Sequence, residues 1–416
     1  MMEVLSKKII ITGAVQGVGF RPFVYKIAQQ FDLLGEVYND SVGVVIIAQC
    51  TQTQHDKLIL SLNSAAPKLS RIIDISIVEN YQDDKVYKDF SISKSRKGKA
   101  SAVVLPDACI CNDCIDDITD KNNRRYGYAF TNCTNCGPRF SIIKEIPYDR
   151  KSTSMSVFSM CKQCEKEYQD PIDRRFHAQP NACSECGPKL QLTDALGKHV
   201  VTKNIVEKTA SLLKQGKIVA IKGIGGFHLA CLASVESAVV ALRERKHRKH
   251  KPFALMARDV SMVKQYCLVS DQEEYLLTDR ASPIVLLTKA NDLLSAQIAP
   301  KQKSLGFMLP YSPLHYLLLQ ELGEPLVLTS GNQSHNPQII DNQHALNELG
   351  KIADYFLLHN RDIVNRVDDS VVRYVAGDLR VIRRARGYAP TSLPLPKGFE
   401  ECTGLLAVGA ELKNTF

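Results

Sequence analysis

Residues 111–136 read CNDCIDDITDKNNRRYGYAFTNCTNC, and residues 161–186 repeat this pattern as CKQCEKEYQDPIDRRFHAQPNACSEC. In each stretch 18 residues separate two Cys-x-x-Cys pairs, and the second stretch follows the first at an offset of 50 residues. Two such pairs can surround one metal ion with four thiolates and leave no open coordination position. The repeat therefore predicts a duplicated unit over residues 105–190 that binds two structural zinc ions.

The eight cysteines of the four pairs are the predicted zinc ligands: Cys111, Cys114, Cys133, Cys136, Cys161, Cys164, Cys183 and Cys186. The spacing leaves open whether the ligands of one zinc come from one repeat or from both. His177 stands where the first repeat has Gly127, so we interpret it as a non-ligand. The remaining cysteines are interpreted as free thiols: Cys50, Cys109, Cys231, Cys267 and Cys402.

The composition of the chain limits the kinds of protein to which it can belong. Its 416 residues predict two to four domains, and 44% hydrophobic with 23% charged residues is typical of folded proteins. The net charge of +9 favours anionic partners, and no apolar run approaches the length of a membrane span. The N-terminal MMEVLSKKIIITG lacks the pattern of an export signal and the cysteine count is odd, so we expect a cytoplasmic location without a disulfide framework.

The first 95 residues predict an α+β domain. Apolar patterning gives the order β-α-β-β-α-β, which is typical of a ferredoxin-like fold. QGVGFR at residues 16–21 joins the first strand to the first helix. A glycine-rich turn at a helix start can direct backbone N–H groups at a phosphate, and Arg21 adds a guanidinium. Such a loop taken alone fits a tight turn equally well.

The stretch GAVQGVGFR, with Asn39 at the end of the next strand, resembles the acylphosphatase family. This resemblance implies that Arg21 and Asn39 are catalytic and that Asn39 orients the attacking water. It also implies that one continuous loop binds the phosphate: Gln16, Gly17, Val18, Gly19, Phe20 and Arg21. An acyl phosphate needs charge neutralisation and a placed water, and it needs no covalent nucleophile. We therefore hypothesise that this domain cleaves an acyl phosphate.

Residues 200–390 predict a mixed α/β domain, in which VESAVVALRERKHRK at 235–249 is predicted to be a helix with a strongly basic end. The domain has three features of a nucleotide site. These are the turn KGIGGFH at 222–228, the cationic run at 243–251, and SGN at 330–332 after a buried strand. Ligands bind at strand ends in α/β sheets. Each feature alone has a plainer explanation, since a basic helix end is commonly a solvated face and a basic run can also bind RNA.

Together these features resemble the YrdC-like family, which binds ATP and makes carbamoyl-type adenylates. The resemblance implies that the cations bind the phosphates of ATP with its Mg²⁺ and stabilise charge as pyrophosphate leaves. The candidate nucleotide-binding residues are Lys222, His228, Arg245, Lys246, Arg248, Lys251, Ser330, Asn332 and Arg383.

The order of the three regions resembles the HypF family of carbamoyltransferases, which mature [NiFe]-hydrogenases. The motifs that carry this resemblance are VQGVGFRPFVY, TNCTNCGPRFSI, DRRFHAQPNACSECGP, GGFHLAC, KPFALM, LPYSPLHYLLL, TSGN and RRARGYAP. One departure is Leu232, which follows GGFHLAC where the family tends to have an acidic residue. Residues 391–416 resemble a linker and the opening of a further domain, so we expect a truncated chain.

The resemblance implies two substrates and one protein partner. Carbamoyl phosphate would be hydrolysed at the first site, ATP would form carbamoyl adenylate at the second, and the C-terminal cysteine of HypE would accept the carbamoyl group. The transfer step is expected to be lost in this fragment. Two alternatives are a zinc-containing RNA-binding protein that uses the basic groove and a zinc-stapled scaffold with inactive domains. The RNA alternative leaves Arg21 and Asn39 unexplained, and the chain has no Trp for base stacking, so nucleic acid is not an expected partner.

Overall fold

The computed structural model describes residues 5–67, 69–78, 81–83, 85–96, 104–333, 336–393, 395, 398–399, 404 and 406. The chain forms two compact units, which we call the first unit (Met1–Leu105 with Asn132–Gly187) and the second unit (Pro106–Thr131 with Pro188–Phe416). The domain boundaries predicted at 1–95, 105–190 and 200–390 stay predictions. Most of the predicted C-terminal segment 391–416, with Cys402, lies outside the described residues.

The first unit contains a five-stranded sheet. Its strands are β1 (Leu5–Ala14), β2 (Leu34–Asn39), β3 (Gly43–Cys50), β4 (Arg71–Val78) and β5 (Phe90–Ile92). Two helices connect them, α1 (Phe20–Gln30) after β1 and α2 (Gln52–Ser64) after β3. The strand order is β4-β1-β3-β2-β5, with β5 parallel to β2 and the other pairs antiparallel. This β-α-β-β-α-β arrangement confirms the predicted ferredoxin-like fold.

The core of this sheet follows from the two periodicities of the sequence. Ile9 and Ile11 lie two residues apart on β1 and are fully buried, as the alternation of a strand requires. Val24 and Ala28 lie one turn apart on α1 and are also fully buried. A capping box at Thr51 starts α2 by satisfying backbone N–H groups of its first turn. The local sequence therefore accounts for the elements that carry the loop at residues 16–21.

Each copy of the cysteine repeat begins with a helix of eight residues. These helices are α3 (Asn112–Thr119) in the second unit and α4 (Lys162–Gln169) in the first. Cys111 and Cys161 occupy the corresponding N-cap positions, both with extended backbone. Between the repeats the first unit has short 3-10 helices at Phe140–Ile142, Arg150–Ser152 and Ser154–Val157. The repeated sequence thus forms the same local structure twice.

The second unit contains a ten-stranded mixed sheet. Its strands are β6 (Leu190–Asp194), β7 (Val219–Lys222), β8 (Phe227–Leu232), β9 (Ala254–Met256), β10 (Ile284–Thr288), β11 (Ser304–Met308), β12 (Leu326–Ser330), β13 (Tyr355–His359), β14 (Val371–Val375) and β15 (Asp378–Arg383). Their order is β15-β14-β10-β11-β9-β12-β8-β7-β13-β6. Three pairs, β10–β14, β11–β9 and β13–β7, are parallel. This sheet confirms the predicted mixed α/β architecture.

Besides α3, the described residues of the second unit form six helices. They are α5 (Ile205–Lys214), α6 (Glu236–Arg245), α7 (Val260–Lys264), α8 (Asp271–Leu277), α9 (Pro313–Leu322) and α10 (Asn342–Leu349). The core between helices and sheet includes Phe227, Leu255, Phe307 and Phe356, all fully buried. Within the described part of the chain the longest helix is α2 with 13 residues, and no helix is long and apolar enough to cross a bilayer.

The basic run after α6 folds differently from the sequence prediction. The sequence predicts a helix over residues 235–249, but α6 ends at Arg245. His247 has a left-handed backbone with a φ of 51°, which stops a helix. The N–H groups of His247 and Arg248 donate to the carbonyl oxygens of Glu244 and Arg243, each at 2.9 Å. The cationic residues after Arg245 therefore do not continue α6.

Candidate active sites and metal centres

The loop between β1 and α1 is a tight turn made possible by two glycines. Gly17 and Gly19 both have a φ of 73°, and Gly19 is the N-cap of α1. A β-carbon on Gly17 would lie 2.9 Å from the ring of Tyr148. This turn places Arg21 in the first turn of α1, where it is 8% exposed.

Arg21 and Asn39 line the same small pocket in the first unit. Asn39 is 1% exposed, and its Oδ1 has no hydrogen-bond partner among the described residues. A buried polar atom without a partner is costly unless a ligand or water binds it. The structure therefore brings the two predicted catalytic residues together at one pocket.

Among the described residues, the guanidinium of Arg21 makes two long polar contacts. Its Nη1 lies 3.4 Å from Ser95 Oγ, and its Nη2 lies 3.6 Å from Asp149 Oδ1. Both distances exceed those of ordinary hydrogen bonds, so an anion in the pocket could engage the guanidinium more closely. The sequence analysis missed Asp149, because it lies 128 residues beyond Arg21 and outside the acylphosphatase-like motif.

The predicted phosphate-binding loop is held from two directions. Gln16 Nε2 donates to the carbonyl oxygens of Asp40 at 2.7 Å and Gly43 at 2.8 Å, which ties the loop to the turn that follows Asn39. Arg139 Nε donates to the carbonyl oxygen of Gly17 at 2.9 Å. The side chain of Gln16 thus holds the loop in place, which leaves the backbone N–H groups as the ones that could contact a phosphate.

Two groups of four cysteines occur in the described residues: Cys111, Cys114, Cys133 and Cys136, and Cys161, Cys164, Cys183 and Cys186. In each group the sulfur atoms lie within 4.8 Å of one another. Each group unites the two pairs of one repeat, which answers the question that the spacing left open. His177 belongs to neither group, in agreement with its interpretation as a non-ligand.

The second group fits a structural zinc ion in donor type and geometry. Cys183 Sγ lies 3.8 Å from the sulfur atoms of Cys161 and Cys186, and Cys186 Sγ lies 3.6 Å from that of Cys164. Burial raises the pKa of Cys183, but backbone N–H groups of Cys186 and Glu185 and the neighbouring thiols outweigh it and lower the pKa to about 7. A thiolate is the form that binds zinc, and four of them close a tetrahedral site.

A large open pocket in the second unit has a cavity volume of about 670 Å³. This is much larger than the pocket at Arg21 and suits a ligand of nucleotide size. Six of the candidate nucleotide-binding residues line it: Lys246, Arg248, Lys251, Ser330, Asn332 and Arg383. The tertiary structure therefore assembles the end of α6, the end of β12 and the end of β15 at one place.

Lys246 is buried at 5% exposure and joins two walls of this pocket. Its Nζ donates to the carbonyl oxygens of Ser330 at 2.8 Å and Asn332 at 2.6 Å, and to Asn332 Oδ1 at 2.8 Å. Ser330 Oγ donates to the same Oδ1 at 2.8 Å. The ammonium thereby fixes the turn after β12 and brings a positive charge to the pocket.

Arg248 is a second cationic side chain of the pocket that its neighbours hold in place. Its Nη1 donates to Thr329 Oγ1 at 3.0 Å, and its guanidinium lies over the ring of Phe253. Burial, together with the charges of Arg243 and Arg383, lowers the pKa of Arg248 to about 10. The guanidinium still carries its charge at neutral pH and is held in place before any anion binds.

Three predicted nucleotide-binding residues do not line this pocket. Lys222 Nζ donates to the carbonyl oxygen of His359 at 3.2 Å, and burial lowers its pKa to about 8. Arg245 Nη1 pairs with Asp354 Oδ1 at 2.8 Å. His228 Nε2 lies 3.0 Å from Asp369 Oδ2, and it is Asp369 that lines the pocket. The roles of these three residues stay predictions from the resemblance.

The departure at Leu232 has a simple structural setting. Leu232 lies at the end of β8, pairs with Leu326 of β12 and is 3% exposed. It does not line the large pocket. A leucine here contributes to the core of the sheet, so the missing acidic residue leaves the described pocket wall unchanged.

Asp369 is a pocket residue that the sequence analysis missed. Burial raises the pKa of its carboxyl group, but the charges of His228 and Arg386 outweigh this and hold the pKa well below its usual range. Arg386 Nε lies 3.0 Å from Asp369 Oδ1. The two adjacent aspartates of DDS at 368–370 were a sequence signal for a polar site. The partner His228 lies too far away in sequence for a local motif to reveal the contact.

Three family models match the chain. The acylphosphatase model matches residues 7–92, the HypF finger model matches 110–143 and 160–193, and the model described as "Telomere recombination", which includes YrdC-like domains, matches 211–385. The fold and the two pockets thus define an enzyme that combines an acylphosphatase-like domain, a four-cysteine zinc-finger repeat and a YrdC-like domain.

Similarity extends over nearly the whole chain. The carbamoyltransferase HypF of Rhodobacter capsulatus is 46% identical over 98% of this chain and 54% of that protein. The carbamoyltransferase HypF of a Synechocystis strain is 46% identical over 97% of this chain and 52% of that protein. A crystal structure of full-length HypF in a phosphate- and nucleotide-bound form superposes with a TM-score of 0.90 at 51% identity, over 94% of this chain and 51% of that one.

The chain belongs to the HypF family of carbamoyltransferases. It spans about half the length of the curated relatives it matches. The alternative of an RNA-binding protein is not favoured, because the relatives are carbamoyltransferases and the first unit carries an acylphosphatase-like domain.

Proposed function

We propose that this chain performs the carbamoyl phosphate and ATP steps of a HypF-type carbamoyltransferase. The observation that carries the proposal is a pocket lined by Arg21, the glycine-rich loop and buried Asn39, whose Oδ1 has no partner among the described residues. This combination suits a phosphoryl group and one oriented water, which are the requirements of acyl phosphate hydrolysis.

In the first step a water molecule attacks the phosphorus of carbamoyl phosphate. The bond from phosphorus to the carbamoyl oxygen breaks, its electron pair leaves with carbamate, and the water oxygen joins the phosphoryl group while a proton passes to solvent. Arg21 and the loop N–H groups neutralise the phosphoryl oxygens, and Asn39 orients the water. The products are phosphate and carbamate.

In the second step a carboxylate oxygen of carbamate attacks the α-phosphorus of ATP. The bond from that phosphorus to its bridging oxygen breaks, and pyrophosphate leaves with Mg²⁺ while carbamoyl adenylate remains. Lys246, Arg248 and Arg383 supply positive charge where negative charge develops. A full-length HypF that is 51% identical to this chain was crystallised in a phosphate- and nucleotide-bound form, which supports a nucleotide as a ligand.

The acceptor and the setting follow from the family. We propose that the C-terminal tail of HypE receives the carbamoyl group for [NiFe]-hydrogenase maturation, and that the two four-cysteine groups hold structural zinc. A cytoplasmic location suits the reduced thiols of zinc ligands and the supply of ATP.

Phosphate release from carbamoyl phosphate tests the first step. Arg21→Ala and Asn39→Ala are each expected to lower kcat/KM by about 100-fold or more, because each removes a group that acts on the transition state. Arg71→Ala, on the exposed face of β4, is the matched control and should retain the wild-type rate. Full activity in a folded Arg21→Ala chain would contradict the proposal, and a folded wild-type chain that releases no phosphate would favour an inactive scaffold.

ATP–pyrophosphate exchange that depends on carbamoyl phosphate tests the second step. The wild-type chain should catalyse exchange, and Arg21→Ala should lose it when carbamoyl phosphate is the only source of carbamate. Absence of exchange in a folded, phosphate-releasing chain would argue against adenylate formation by this part of the protein alone.

A further inference from the structure

His177 occupies a backbone position that the other copy of the repeat fills with glycine. His177 has a φ of 54°, and Gly127, 50 residues earlier, has a φ of 66°. The N–H of His177 donates to the carbonyl oxygen of Tyr168 at 3.0 Å, and that of Gly127 donates to Ile118 at 2.9 Å. The two positions are equivalent in sequence, in backbone conformation and in hydrogen bonding.

A glycine meets the structural requirement at this position without strain. The left-handed region crowds a β-carbon against the backbone, so a histidine there destabilises the fold relative to glycine. Non-glycine residues that keep this conformation are concentrated at functional sites. The turn therefore does not explain why residue 177 is a histidine.

The neighbours of His177 hold its ring in one place. Gln179 Nε2 donates to the carbonyl oxygen of His177 at 2.8 Å, and Gln179 Oε1 accepts from Tyr168 Oη at 3.0 Å. The His177 ring lies 4.9 Å from the ring of Tyr168 and 4.5 Å from that of Phe176, measured between centroids. The imidazole is thus positioned by packing on two aromatic rings and by a fixed backbone.

His177 lines the pocket that contains Arg21 and Asn39. Neither ring nitrogen has a hydrogen-bond partner among the residues that the structure describes. Burial and the nearby charge of Arg21 lower the pKa of His177 to about 4, so the ring is neutral at physiological pH. A neutral imidazole offers one donor and one acceptor, and it has no proton to give as a general acid.

We propose that His177 is a specificity-determining residue that recognises the carbamoyl group of the substrate by accepting a hydrogen bond from its NH₂ group. This inference rests on the proposed acyl phosphate hydrolysis and adds the residue that reads the acyl end. With the phosphoryl group bound by the loop and Arg21, the carbamoyl end is the part of the ligand left for His177. The NH₂ of a carbamoyl group can donate to the unprotonated nitrogen of the imidazole. An acetyl group has a methyl group in place of the NH₂ and cannot make this bond.

The test compares carbamoyl phosphate with acetyl phosphate on the full 416-residue chain. His177→Gly is expected to lower kcat/KM for carbamoyl phosphate by about 10-fold or more, the size of a lost buried hydrogen bond. Hydrolysis of acetyl phosphate should change by less than about 3-fold, since its methyl group gains nothing from the imidazole. His177→Asn keeps a donor and an acceptor and tolerates the left-handed backbone, so it should restore part of the preference.

Thermal unfolding separates this role from a structural one. His177→Gly should unfold at the same or a higher temperature than the wild type, as the glycine of the first repeat indicates. An equal loss for both substrates, or no loss for either, would overturn the inference. Failure of the proposed function looks different, because the wild type would then hydrolyse neither substrate and Arg21→Ala would change nothing.

Discussion

The ammonium nitrogen of Lys246 lies 2.8 Å from Oδ1 of Asn332, 86 residues further along the chain. The same nitrogen donates to the carbonyl oxygens of Ser330 and Asn332. One cation therefore holds the end of α6 against the turn after β12, at the wall of the large pocket. The contact gives Lys246 two tasks, since it shapes the pocket and supplies charge for an anionic ligand.

Replacement of Lys246 should weaken nucleotide binding. We expect Lys246→Met to raise the dissociation constant of ATP by about 10-fold or more, because both the charge and the ordered turn are lost. Titration calorimetry with Mg²⁺-ATP measures this. The matched control is Lys264→Met. Lys264 lies on α7 and forms an exposed ion pair with Glu274 of α8. Equal ATP affinity in Lys246→Met and wild type would contradict this assignment.

Gln16 is expected to act through the loop it holds. Gln16→Ala removes the two hydrogen bonds that join the loop to the turn after Asn39. The loop and Asn39 should then no longer be held at a fixed position relative to each other. We expect kcat for carbamoyl phosphate hydrolysis to fall by about 10-fold while KM changes less, because Arg21 remains. Gln49→Ala, whose side chain donates to the carbonyl oxygen of Lys85 outside the pocket, should behave as wild type. A change in KM alone would show that Gln16 binds substrate directly.

Each four-cysteine group should hold one zinc ion. Cys164→Ser should lower the zinc content from two ions per chain to one and lower the unfolding temperature, because metal binding and folding are coupled. Cys109→Ser is the matched control, since Cys109 neighbours Cys111 in sequence and belongs to neither group. Elemental analysis with thermal unfolding measures both effects. Loss of a zinc ion in Cys109→Ser would show that the grouping of the thiols is wrong.

Buried His315 should make stability depend on pH. Burial, reinforced by the charge of His228, lowers its pKa to about 3, below the value near 6.5 of an unfolded chain. The contribution of neutral His315 to the free energy of unfolding is therefore fully present above pH 6.5 and is lost as the pH falls from 6.5 towards 3. The free energy of unfolding should fall with a slope of up to about 1.4 kcal/mol per pH unit for this group.

Urea unfolding at a series of pH values measures this slope. His315→Gln removes the titrating ring and should give a shallower dependence between pH 6.5 and 4. The exposed His344→Gln is the matched control. Equal slopes in wild type and His315→Gln would show that His315 does not stay neutral in the folded state.

Features encoded in short stretches were predictable from the sequence. The ferredoxin-like order and the mixed α/β region follow from periods of two and 3.6 residues, which one strand or helix expresses by itself. The four-cysteine groups follow from a spacing that repeats after 50 residues. The limit appears at α6, where the predicted helix continues to residue 249 and the real one ends at Arg245. A left-handed His247 ends it, and residue type alone does not specify that conformation.

The sequence by itself determined which chemical groups the chain possesses and the elements that carry them, because spacing and periodicity are local. Only the tertiary structure decided which groups meet. It joined the thiols within each repeat, brought His177 to the pocket of Arg21 and Asn39, and directed Arg245 to Asp354 and away from the large pocket. The physical reason is that these contacts join residues far apart in the chain, and the packing of whole elements sets them.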